Sequence, residues 1–589
     1  MANLKKVGSS NYELHPKTKI RGFDQEAWQE QAAVVTELKD RCASIMQQTQ
    51  KVVVCFDFYP GVNKSEIYQI IQQLQPDKVF DMEDYALSEP ELLARFDDYI
   101  TTDRVFGILC HKKIDTLFDE RKLEIAKKEV ASISQGLTVV LGVGASLVVG
   151  KPSLYVYCNL TRWKIQLRYR EGMPNWHCSN VDDPVLTKYK RGFFIEWRLA
   201  DRHKKAMYDS FDYVLDSEKD SQPKMITGEA FRGALSQLSR QPFRMQPYFD
   251  PGVWGGHWMQ EKFGLDKEQE NFAWSFDGVP EENSINLEIG SVVLSIPAID
   301  LVLYRPREVI GDRVHARFGA EFPIRFDLLD TMGGGNLSLQ VHPLTEYIQS
   351  EFGMHYTQDE SYYILDAKEE EETFVYLGVK KDVNPDDMLS DLKAAERGGK
   401  EFPAELYVNK VPVKKHDHIL IPAGTTHCSG KNTMVLEISA TPYIFTFKLW
   451  DWGRVGLDGL PRPIHVEHGI KNIQWDRDTD WIYENLVQQE KVIEKGTDYE
   501  IRRTGLHSRE FIETIRYDVS SFVEIKMKDS VHVMNLVEGE KAFIESVDNS
   551  FAPFEIHYAE TVIVPASVGT YKIVSSKDKI KMIVACVRQ

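Results

Sequence analysis

Four side chains of the types that bind divalent metal ions occur in order in the second half of this sequence. Gln340 and His342 stand two residues apart in LSLQVHP, Glu360 begins ESYYIL, and His427 ends ILIPAGTTH. Side chains at positions i and i+2 of an extended strand point to the same face, so Gln340 and His342 can face one side together. Any one of these residues alone is better explained as an ordinary polar side chain of a β-rich protein.

The four residues together indicate a metal site that could support catalysis. Two imidazoles, one carboxylate and one amide oxygen form a mixed nitrogen and oxygen set, which suits Zn²⁺ or a similar divalent ion with one or two open positions. An open coordination position favours catalysis over a purely structural role. We therefore interpret Gln340, His342, Glu360 and His427 as candidate metal ligands.

The elements that would position these residues are short strands. From about residue 245 onward, strand-like runs such as NLSLQVHP, SYYILDA and HILIPAG alternate with clusters of glycine, proline and aspartate. This spacing is typical of antiparallel β sandwiches or jelly rolls, here with a few helices inserted. A second, shorter set of strands, from SFVEIKM to KMIVACV, follows a helical or irregular stretch near 477–500.

The first 225 residues have a different pattern. Helical segments alternate with continuous apolar strands such as KVVVCFDF and SLYVYCNL, which is typical of a parallel sheet covered by helices on both faces. The polar stretch DSEKDSQPKMITGEA is interpreted as a linker. The sequence thus predicts a multidomain protein with an α/β domain at 1–225, a metal-binding β domain at 245–475 and a C-terminal β domain at 476–589.

Composition argues against several classes of function. The chain of 589 residues carries a formal net charge of −18, and binding to nucleic acid or to an anionic membrane needs a surplus of lysine and arginine. Its seven cysteines are scattered and include no C-x-x-C pair, as expected for reduced thiols in the cytoplasm. An apolar signal region and an apolar run of 18 residues are both missing, so we expect neither export nor membrane insertion.

The candidate metal motifs also resemble a known family. LSLQVHP, DESYYIL and ILIPAGTTH resemble the three metal-site motifs of type I phosphomannose isomerases (mannose-6-phosphate isomerases), zinc-dependent enzymes of the cupin superfamily. FDPGVWGGHWM is similar to a Trp-Gly-Gly motif of that family, FPIRFDLLDTM to the strand that leads into its metal site, and LWDWGRVGLDGLPRPIHVEHGI to a Tyr-Asp-Trp-Gly-Arg region of its bacterial members. The motifs cover about residues 245–475 in matching order, and the C-terminal β domain extends the resemblance to residue 589.

The resemblance implies cupin (jelly-roll) domains and one Zn²⁺ per chain, bound by the four candidate ligands. It implies the isomerisation of mannose 6-phosphate to fructose 6-phosphate, in which a proton moves between C2 and C1 through an enediol. Such a reaction needs a base at carbon and a group that stabilises oxyanion charge. Arg454 is the implied catalytic arginine, and Trp254, Trp274 and Gln358 are implied substrate contacts.

The base of this reaction is not assigned by the sequence. His465, Glu467 and a water on the metal are the candidates, and an ordinary loop contact is the alternative for the two side chains.

Two positions depart from the family pattern. The family commonly has one lysine two residues before the metal glutamate and another in the strand that corresponds to FPIRFDLLD, where this sequence has Gln358 and Asp327. Both changes remove positive charge from where a phosphorylated sugar would lie, and Asp327 would add repulsion against a dianion. A neutral sugar, a phosphosugar that is held differently, and lost activity all remain open.

The N-terminal domain contains a candidate phosphate loop. VVVCFDFYPGVNKSEI ends a buried strand and enters a helix at Lys64 and Ser65, where backbone amides and a lysine could hold a nucleotide phosphate. A Walker A motif would need glycines where Phe58 and Asn63 stand.

Residues 50–215 loosely resemble P-loop kinases of the uridine-kinase type, with a basic stretch from Arg162 to Lys205. The resemblance implies ATP and Mg²⁺ at Lys64 and Ser65. For an active domain it further implies Asp57 as base or metal ligand, with phosphate-neutralising arginines at Arg162, Arg168 and Arg191. The alternative is a degenerate kinase fold that is kept for packing or for binding a ligand.

The sequence leaves two hypotheses. The first is a cytoplasmic zinc-dependent sugar isomerase with an appended kinase-like domain, bifunctional if that domain phosphorylates a sugar. The second is a non-catalytic sugar or nucleotide sensor that retains the metal site. In both, the expected partner is a small sugar or sugar phosphate, with neither nucleic acid nor membrane, and a homo-oligomer remains open.

Overall fold

The chain divides into two units that are each discontinuous in sequence. A computed structural model describes residues 10–398, 400–440, 443, 445–456, 459 and 462–588. The first unit, called the α/β unit, comprises Lys17–Leu238 and Ser284–Tyr304. The second, called the β unit, comprises residues 10–16, Ser239–Asn283 and 305–588. The segment Ser284–Tyr304 therefore leaves the β unit and completes the α/β unit.

A seven-stranded sheet forms the centre of the α/β unit. Its order is Lys78–Asp81, Gly136–Gly142, Lys51–Phe58, Leu154–Asn159, Tyr213–Asp216, Lys224–Thr227 and Ala27–Gln29. The first five strands are parallel, and the last two are antiparallel to their neighbours. The strand Lys51–Phe58 is buried from its second residue onward, because a parallel sheet with helices on both faces buries every side chain. The α/β prediction for this region is confirmed.

Helices connect these strands. The α-helices of the unit are Gln31–Thr49, Lys64–Leu74, Glu89–Phe96, Glu120–Ser132, Arg162–Arg170, Val185–Arg191, Trp197–Met207, Gly228–Leu238 and Ile299–Tyr304. A π-helical turn, Gly192–Glu196, joins two of them into one long element. Short 3₁₀ turns are Met82–Tyr85, Asp97–Tyr99, Ile114–Leu117, Ala145–Leu147 and Tyr208–Ser210.

The returning segment is fixed to the α/β unit by a sheet and by a buried ion pair. Lys17–Lys19 pairs in parallel with Ser284–Ile289, which pairs antiparallel with Val292–Pro297. In the next helix, Asp300 lies 2.5 and 2.7 Å from Lys204 Nζ, and both side chains are 1% exposed. Burial lowers the pKa of Lys204, and Asp300 opposes that shift.

The first sandwich of the β unit consists of two antiparallel sheets. The six-stranded sheet has the order His418–Ile421, Glu360–Ala367, Thr433–Ser439, Arg325–Asp330, Trp274–Gly278 and Tyr248–Asp250. The five-stranded sheet has the order Val408–Pro412, Phe374–Val379, His427–Ser429, Leu339–Val341 and Phe447–Trp450. Side chains from these sheets meet inside the sandwich and form the candidate site below.

The C-terminal sandwich repeats this arrangement. Its six-stranded sheet has the order Lys491–Lys495, Tyr499–Gly505, Ile512–Val519, Ile580–Val587, His532–Glu538 and Thr561–Val564, and its four-stranded sheet has the order Phe522–Lys526, Thr570–Ser575, Lys541–Ser546 and Phe554–His557. In Phe522–Lys526, Val523 and Ile525 are buried while Phe522, Glu524 and Lys526 are exposed. Such alternation is expected for an antiparallel strand with one face on the core, and the mainly-β prediction is confirmed.

Helices of the β unit lie between strands. They are Trp258–Phe263, Pro306–Ile310, Asp312–Phe318, Thr345–Phe352, Pro385–Glu396, Ala404–Tyr407, Val466–Gly469 and Thr479–Asn485, with a 3₁₀ turn at Ala566–Val568. Among the residues that the structure describes, no helix has the length and apolarity needed to span a bilayer.

Candidate metal centre

Three of the four candidate ligands meet inside the first sandwich. Glu360, from the six-stranded sheet, places its Oε2 3.0 Å from His342 Nε2 and its Oε1 2.7 Å from His427 Nε2. All three side chains are buried, and one ligand atom from each lies within 4.8 Å of the others. Two sheets thus bring together residues that are up to 85 positions apart in the sequence.

Strand register and one turn set the positions of the imidazoles. Gln340 stands directly opposite His427 in neighbouring antiparallel strands. Gly424, in the turn before His427, donates its backbone N–H to the carbonyl of His342 at 2.9 Å. Its φ of +90° favours glycine, and a Cβ there would lie 2.7 Å from Gln474 Cγ. The glycine of IPAGTTH therefore holds the two histidine segments at a fixed spacing.

Arg477 fixes the same turn from behind. Its Nη1 donates to the carbonyls of Pro422 and Ala423 at 2.7 and 2.6 Å and to Thr425 Oγ1 at 2.6 Å. The side chain is almost fully buried, so these bonds are shielded from competing water. Sequence reasoning did not single out Arg477, because it lies about fifty residues beyond the turn that it holds.

Backbone carbonyls fix the tautomer of both imidazoles. His342 Nδ1 donates to the carbonyl of Phe445 at 2.8 Å, and His427 Nδ1 donates to the carbonyl of Thr425 at 2.8 Å. A carbonyl can only accept, so each neutral ring carries its proton on Nδ1 and turns the Nε2 lone pair toward Glu360. Metal-bound histidines commonly have this arrangement.

The residues fit a divalent cation. Within the described part of the chain, His342 Nε2 and Glu360 Oε1 are buried with no hydrogen-bond donor. Lone pairs on nitrogen and carboxylate oxygen that face each other at 2.7–3.0 Å need a proton or a cation between them. Gln340 Nε2 lies 3.2 Å from His427 Nε2, and half a turn of its amide would present an oxygen as a fourth ligand.

The charges around Glu360 keep it ionised. Burial alone would raise its pKa, yet the imidazoles of His342 and His427 hold the pKa far below the ordinary value of a glutamate. Burial lowers the pKa of His342, but Glu360 outweighs that effect and raises it overall. Burial, together with Glu360 and Asp327, raises the pKa of the neighbouring Glu437 well above its usual value. The pKa values of Glu360 and Glu437 are therefore shifted in opposite directions.

The two positions that depart from the family pattern both lie at this site. Gln358 Nε2 donates to Glu360 Oε2 at 3.2 Å, and Gln358 Oε1 accepts from the backbone N–H of Phe445 at 2.9 Å. Asp327 accepts from Arg325 Nε at 2.5 Å, and burial raises the pKa of Asp327 to about 6 despite that partner. Gln358 thus orients Glu360, and Arg325 offsets the charge of Asp327.

Lys448 is a cation of this region that sequence reasoning missed. It stands opposite Gln340 in the strand Phe447–Trp450, and residues directly opposite in an antiparallel pair share a face. His427, Gln340 and Lys448 therefore form a row across three strands. Burial and the neighbouring Arg462 and Arg454 lower the pKa of Lys448 to about 7. The available signal was a lysine in the otherwise apolar run FKLW.

Arg454 lies beside this row and is held by an acid. Its Nη2 donates to Asp451 Oδ1 at 2.6 Å, and Arg462 Nε lies 3.0 Å from Asp451 Oδ2. A Cβ at Gly335 would lie 3.4 Å from Arg454 Nη1. Arg454 therefore lies beside the glycine run ahead of Gln340.

Both predicted tryptophans pack near the same glycine run. Trp254 is 2% exposed, and its ring meets Trp274 edge-on at a centroid distance of 4.6 Å. The carbonyl of Trp254 accepts from the N–H of Gly335 at 3.0 Å. Their role as substrate contacts stays a prediction.

The two side chains considered as bases occupy different environments. Glu467 is 69% exposed and lies 3.4 Å from Lys393. His465 is buried, and its backbone N–H donates to the carbonyl of Lys448 at 2.8 Å. Glu467 therefore lies at the surface and contacts Lys393, whereas His465 is buried against the strand that carries Lys448.

The candidate phosphate loop of the α/β unit is occupied by its own side chains. Lys64 Nζ lies 2.5 Å from Asp81 Oδ2 and 2.9 Å from Glu83 Oε2. Asn63 caps the helix, and its Oδ1 accepts from both the N–H and the hydroxyl of Ser65, at 3.2 and 2.7 Å. Since these donors are used inside the chain, the loop gives no support to the predicted ATP and Mg²⁺ site.

The predicted phosphate-binding arginines are also paired internally. Arg162 pairs with Asp201, Arg168 with Asp220 at 2.8 Å, and Arg191 with Glu196 at 3.4 Å. Asp57 is fully buried and accepts from Ser146 Oγ at 2.7 Å and Tyr155 OH at 2.8 Å, with His203 Nε2 at 2.9 Å. These groups lie in one unit, but each already has a protein partner.

Sequence comparison finds relatives that match part of the chain. Mannose-6-phosphate isomerase of Streptococcus mutans is 26% identical over 232 residues, which cover 39% of this chain and 67% of that protein. Mannose-6-phosphate isomerase ManA of Bacillus subtilis is 22% identical over 338 residues, which cover 57% of this chain and 96% of that protein. The chain is similar to mannose-6-phosphate isomerases. This similarity supports a sugar isomerase.

Two further matches are one to a solved structure and one to a family model. The crystal structure of mannose 6-phosphate isomerase from Bacillus subtilis aligns with 59% of this chain and 99% of its own length, at 19% identity and a TM-score of 0.46. A family model described as a domain of unknown function (DUF8485) matches residues 32–240. The family model gives no support to the kinase resemblance of the α/β unit.

Proposed function

We propose that the β unit is a metal-dependent aldose–ketose isomerase that interconverts mannose 6-phosphate and fructose 6-phosphate, or a closely related sugar pair. The observation that carries this proposal is the convergence of three buried side chains, His342, Glu360 and His427. Among the described residues, His342 Nε2 and Glu360 Oε1 have no hydrogen-bond donor. Similarity to mannose-6-phosphate isomerases adds the reaction class.

His342, Glu360 and His427 would hold the ion, with Gln340 as the fourth candidate ligand, and Zn²⁺ suits this donor set. When bound, the ion would polarise the carbonyl and hydroxyl oxygens of an open-chain sugar. Gln358 supports this role because its amide orients Glu360.

Protein groups would handle the charge that develops on the sugar oxygens. Lys448 Nζ is the candidate donor, because it shares a face with Gln340 and His427. Arg454 and Arg462 add positive charge beside it while Asp451 holds them in place. Fixed cations in a site with little water stabilise an oxyanion strongly. They also supply positive charge for a phosphosugar in a chain that lacks the two family lysines.

The proposed function does not include phosphoryl transfer by the α/β unit. Lys64, Ser65 and the arginines of the α/β unit are engaged with protein partners, so ATP and Mg²⁺ binding there stays an untested prediction. The hypothesis of a non-catalytic sensor has no observation in its favour.

The proposal is tested by proton exchange at C2. The full-length protein loaded with Zn²⁺ is mixed with aldoses in D₂O, and deuterium at C2 and ketose formation are followed by NMR. Mannose 6-phosphate, mannose and glucose 6-phosphate form the panel, and protein stripped by a chelator is the control. We expect metal-dependent exchange with at least one of these sugars. Absence of exchange with all three, in protein that holds one Zn²⁺ per chain, would contradict the proposal.

Replacing Lys448 by methionine is expected to lower kcat by about a hundredfold to a thousandfold, the range seen when one oxyanion donor is lost. Methionine keeps a long side chain but supplies no charge or donor. Zinc content should not change, because Lys448 is not a ligand. Lys431→Met, which alters an exposed lysine of the same unit, is the matched control. Unchanged kcat in the Lys448 variant would remove this residue from the mechanism.

A further inference from the structure

The two imidazoles of the candidate metal centre come from strands that share very little pairing. The antiparallel strands Leu339–Val341 and His427–Ser429 have a single pair of opposite residues, Gln340 and His427. His342 directly follows the end of its strand. Ligands of a functional metal site must be held to within about 0.5 Å of their productive positions. Strand pairing alone does not fix the spacing of His342 and His427 so closely, and other contacts must do so.

A segment farther along the chain contacts both histidine segments. Residues 472–477, called the clamp segment, follow the helix Val466–Gly469 and precede the helix Thr479–Asn485. Its first residue, Asn472, is 0% exposed, and its last residue, Arg477, is 1% exposed. Burying a polar side chain is costly unless it forms hydrogen bonds. The hydrogen bonds of Asn472 and Arg477 therefore show what the clamp segment holds.

Asn472 holds the segment that carries His342. Its Oδ1 accepts from the backbone N–H of Leu344, two residues after His342, at 2.8 Å. Its Nδ2 donates to the carbonyl of His468 at 2.8 Å. Both ends of the amide are engaged, so its orientation is fixed. Asn472 therefore ties the chain beyond His342 to the helix that precedes the clamp segment.

The same segment holds the turn before His427. The backbone N–H of Gln474 donates to the carbonyl of Gly424 at 2.9 Å, and Arg477 Nη1 adds its three bonds to this turn at 2.6–2.7 Å. One of these bonds ends on Thr425 Oγ1, and the carbonyl of Thr425 accepts from His427 Nδ1 at 2.8 Å. A single residue therefore separates Arg477 from the imidazole of His427.

The clamp segment and the two histidine segments meet at Gly424. A Cβ there would lie 2.7 Å from Gln474 Cγ, 2.9 Å from Leu344 Cδ2 and 3.0 Å from the carbonyl oxygen of Asn472. The N–H of Gly424 donates to the carbonyl of His342 at 2.9 Å. Closely packed interiors have few voids and transmit strain. A displacement of the clamp segment is therefore passed to the ligand segments and is not absorbed in empty space.

We propose that the clamp segment is a positioning element for the metal centre, in which Asn472 positions His342 and Arg477 positions His427. This inference rests on the metal centre of the proposed function, and it concerns the affinity for the ion and not the isomerisation step. Neither side chain is a candidate ligand. Groups that orient metal ligands typically contribute about tenfold to a hundredfold to the affinity for the ion.

The test measures the Zn²⁺ affinity of the full-length protein by competition with a chelator. Asn472→Ala and Arg477→Met should each weaken Zn²⁺ binding about tenfold to a hundredfold. Thr425→Val removes only the hydroxyl that accepts from Arg477, so it tests the same contact with less risk to folding. It should weaken binding by about threefold to tenfold, which corresponds to the loss of one hydrogen bond.

A second measurement separates positioning from a general loss of stability. NMR of the histidine ring nitrogens is recorded on the metal-free protein, in which both rings of the parent carry their proton on Nδ1. Arg477→Met should shift the ring signals of His427 more than those of His342, because the carbonyl of Thr425 is no longer held. Asn472→Ala should have the reverse effect. Loss of stability alone would not produce this opposite pattern.

The matched control is Asn535→Ala. Asn535 is also 0% exposed and donates two hydrogen bonds, but it lies in the C-terminal sandwich. Its variant should unfold at a lower temperature and bind Zn²⁺ as tightly as the parent. Parental affinity in the clamp variants, or an equal loss in Asn535→Ala, would overturn the inference. The expected affinity losses without C2 exchange in the parent would count against the isomerase alone, whereas a parent that binds no Zn²⁺ would overturn both proposals.

Discussion

Replacing His427 by alanine is expected to remove the metal ion and to lower isomerisation at least about a thousandfold. The substitution leaves Glu360 without its contact at 2.7 Å and leaves at most three protein ligands, so affinity for the ion falls steeply. Without the ion, polarisation of the sugar oxygens is lost, which is worth several kcal/mol in the transition state. Metal content by mass spectrometry and C2 exchange by NMR measure both effects.

Two variants control this result. Glu360→Gln keeps the shape of the side chain but loses its charge, and it should also lose metal and exchange. His532→Ala removes another buried imidazole, from the C-terminal sandwich, and it should leave metal content and exchange unchanged. If the His427 variant exchanges the C2 proton at the normal rate after its metal has been removed, the metal-dependent mechanism is wrong.

Replacing Asp300 by alanine is expected to destabilise the α/β unit by about 3–5 kcal/mol. The change strands Lys204 as a buried charge without its counter-ion, and breaking a buried pair by removing one partner is costly on this scale. Tyr208 OH, 3.0 Å from Asp300, loses its acceptor as well. Hydrogen exchange of the central strand Lys51–Phe58 reports the change in unfolding free energy.

The matched control changes Asp209, an acid that contacts the helix Ile299–Tyr304 to which Asp300 belongs. Asp209→Ala removes an exposed hydrogen bond of 2.9 Å to Tyr304, and it should cost less than about 1 kcal/mol. The double variant Lys204→Met/Asp300→Leu should recover most of the loss, because no buried charge remains. If Asp300→Ala protects the strand as well as the wild type does, the ion pair contributes nothing to the unit.

The sequence predicts the composition of the metal centre better than its surroundings. His342, Glu360 and His427 belong to short motifs, and the alternation along a strand already places Gln340 and His342 on one face. Lys448 and Arg477 are brought in by strand register and by a distant loop. Their place at the site is not a local property, since one sequence does not tell which strands will be neighbours.

The same limit decides which parts of the α/β unit can be predicted from the sequence. Continuous apolar runs predict its parallel sheet correctly, because burial on both faces leaves a local pattern. The return of Ser284–Tyr304 to this unit depends on pairing with Lys17–Lys19 and on the ion pair of Lys204, which no local pattern reveals. In the loop before Lys64, the sequence itself shows that the Walker A glycines are missing. The hydrogen bond from the Ser65 N–H to Asn63 Oδ1 is seen only in the fold.

The discontinuity of the α/β unit affects the order of events during synthesis. Asp300 is translated 62 residues after Leu238, the end of the unit's first segment. At about 5–20 residues per second, Lys204 waits several seconds on the ribosome before its partner exists. During that interval the nascent unit lacks both its three-stranded sheet and the buried counter-ion of Lys204. A fragment that ends at Leu238 would remain permanently in that incomplete state.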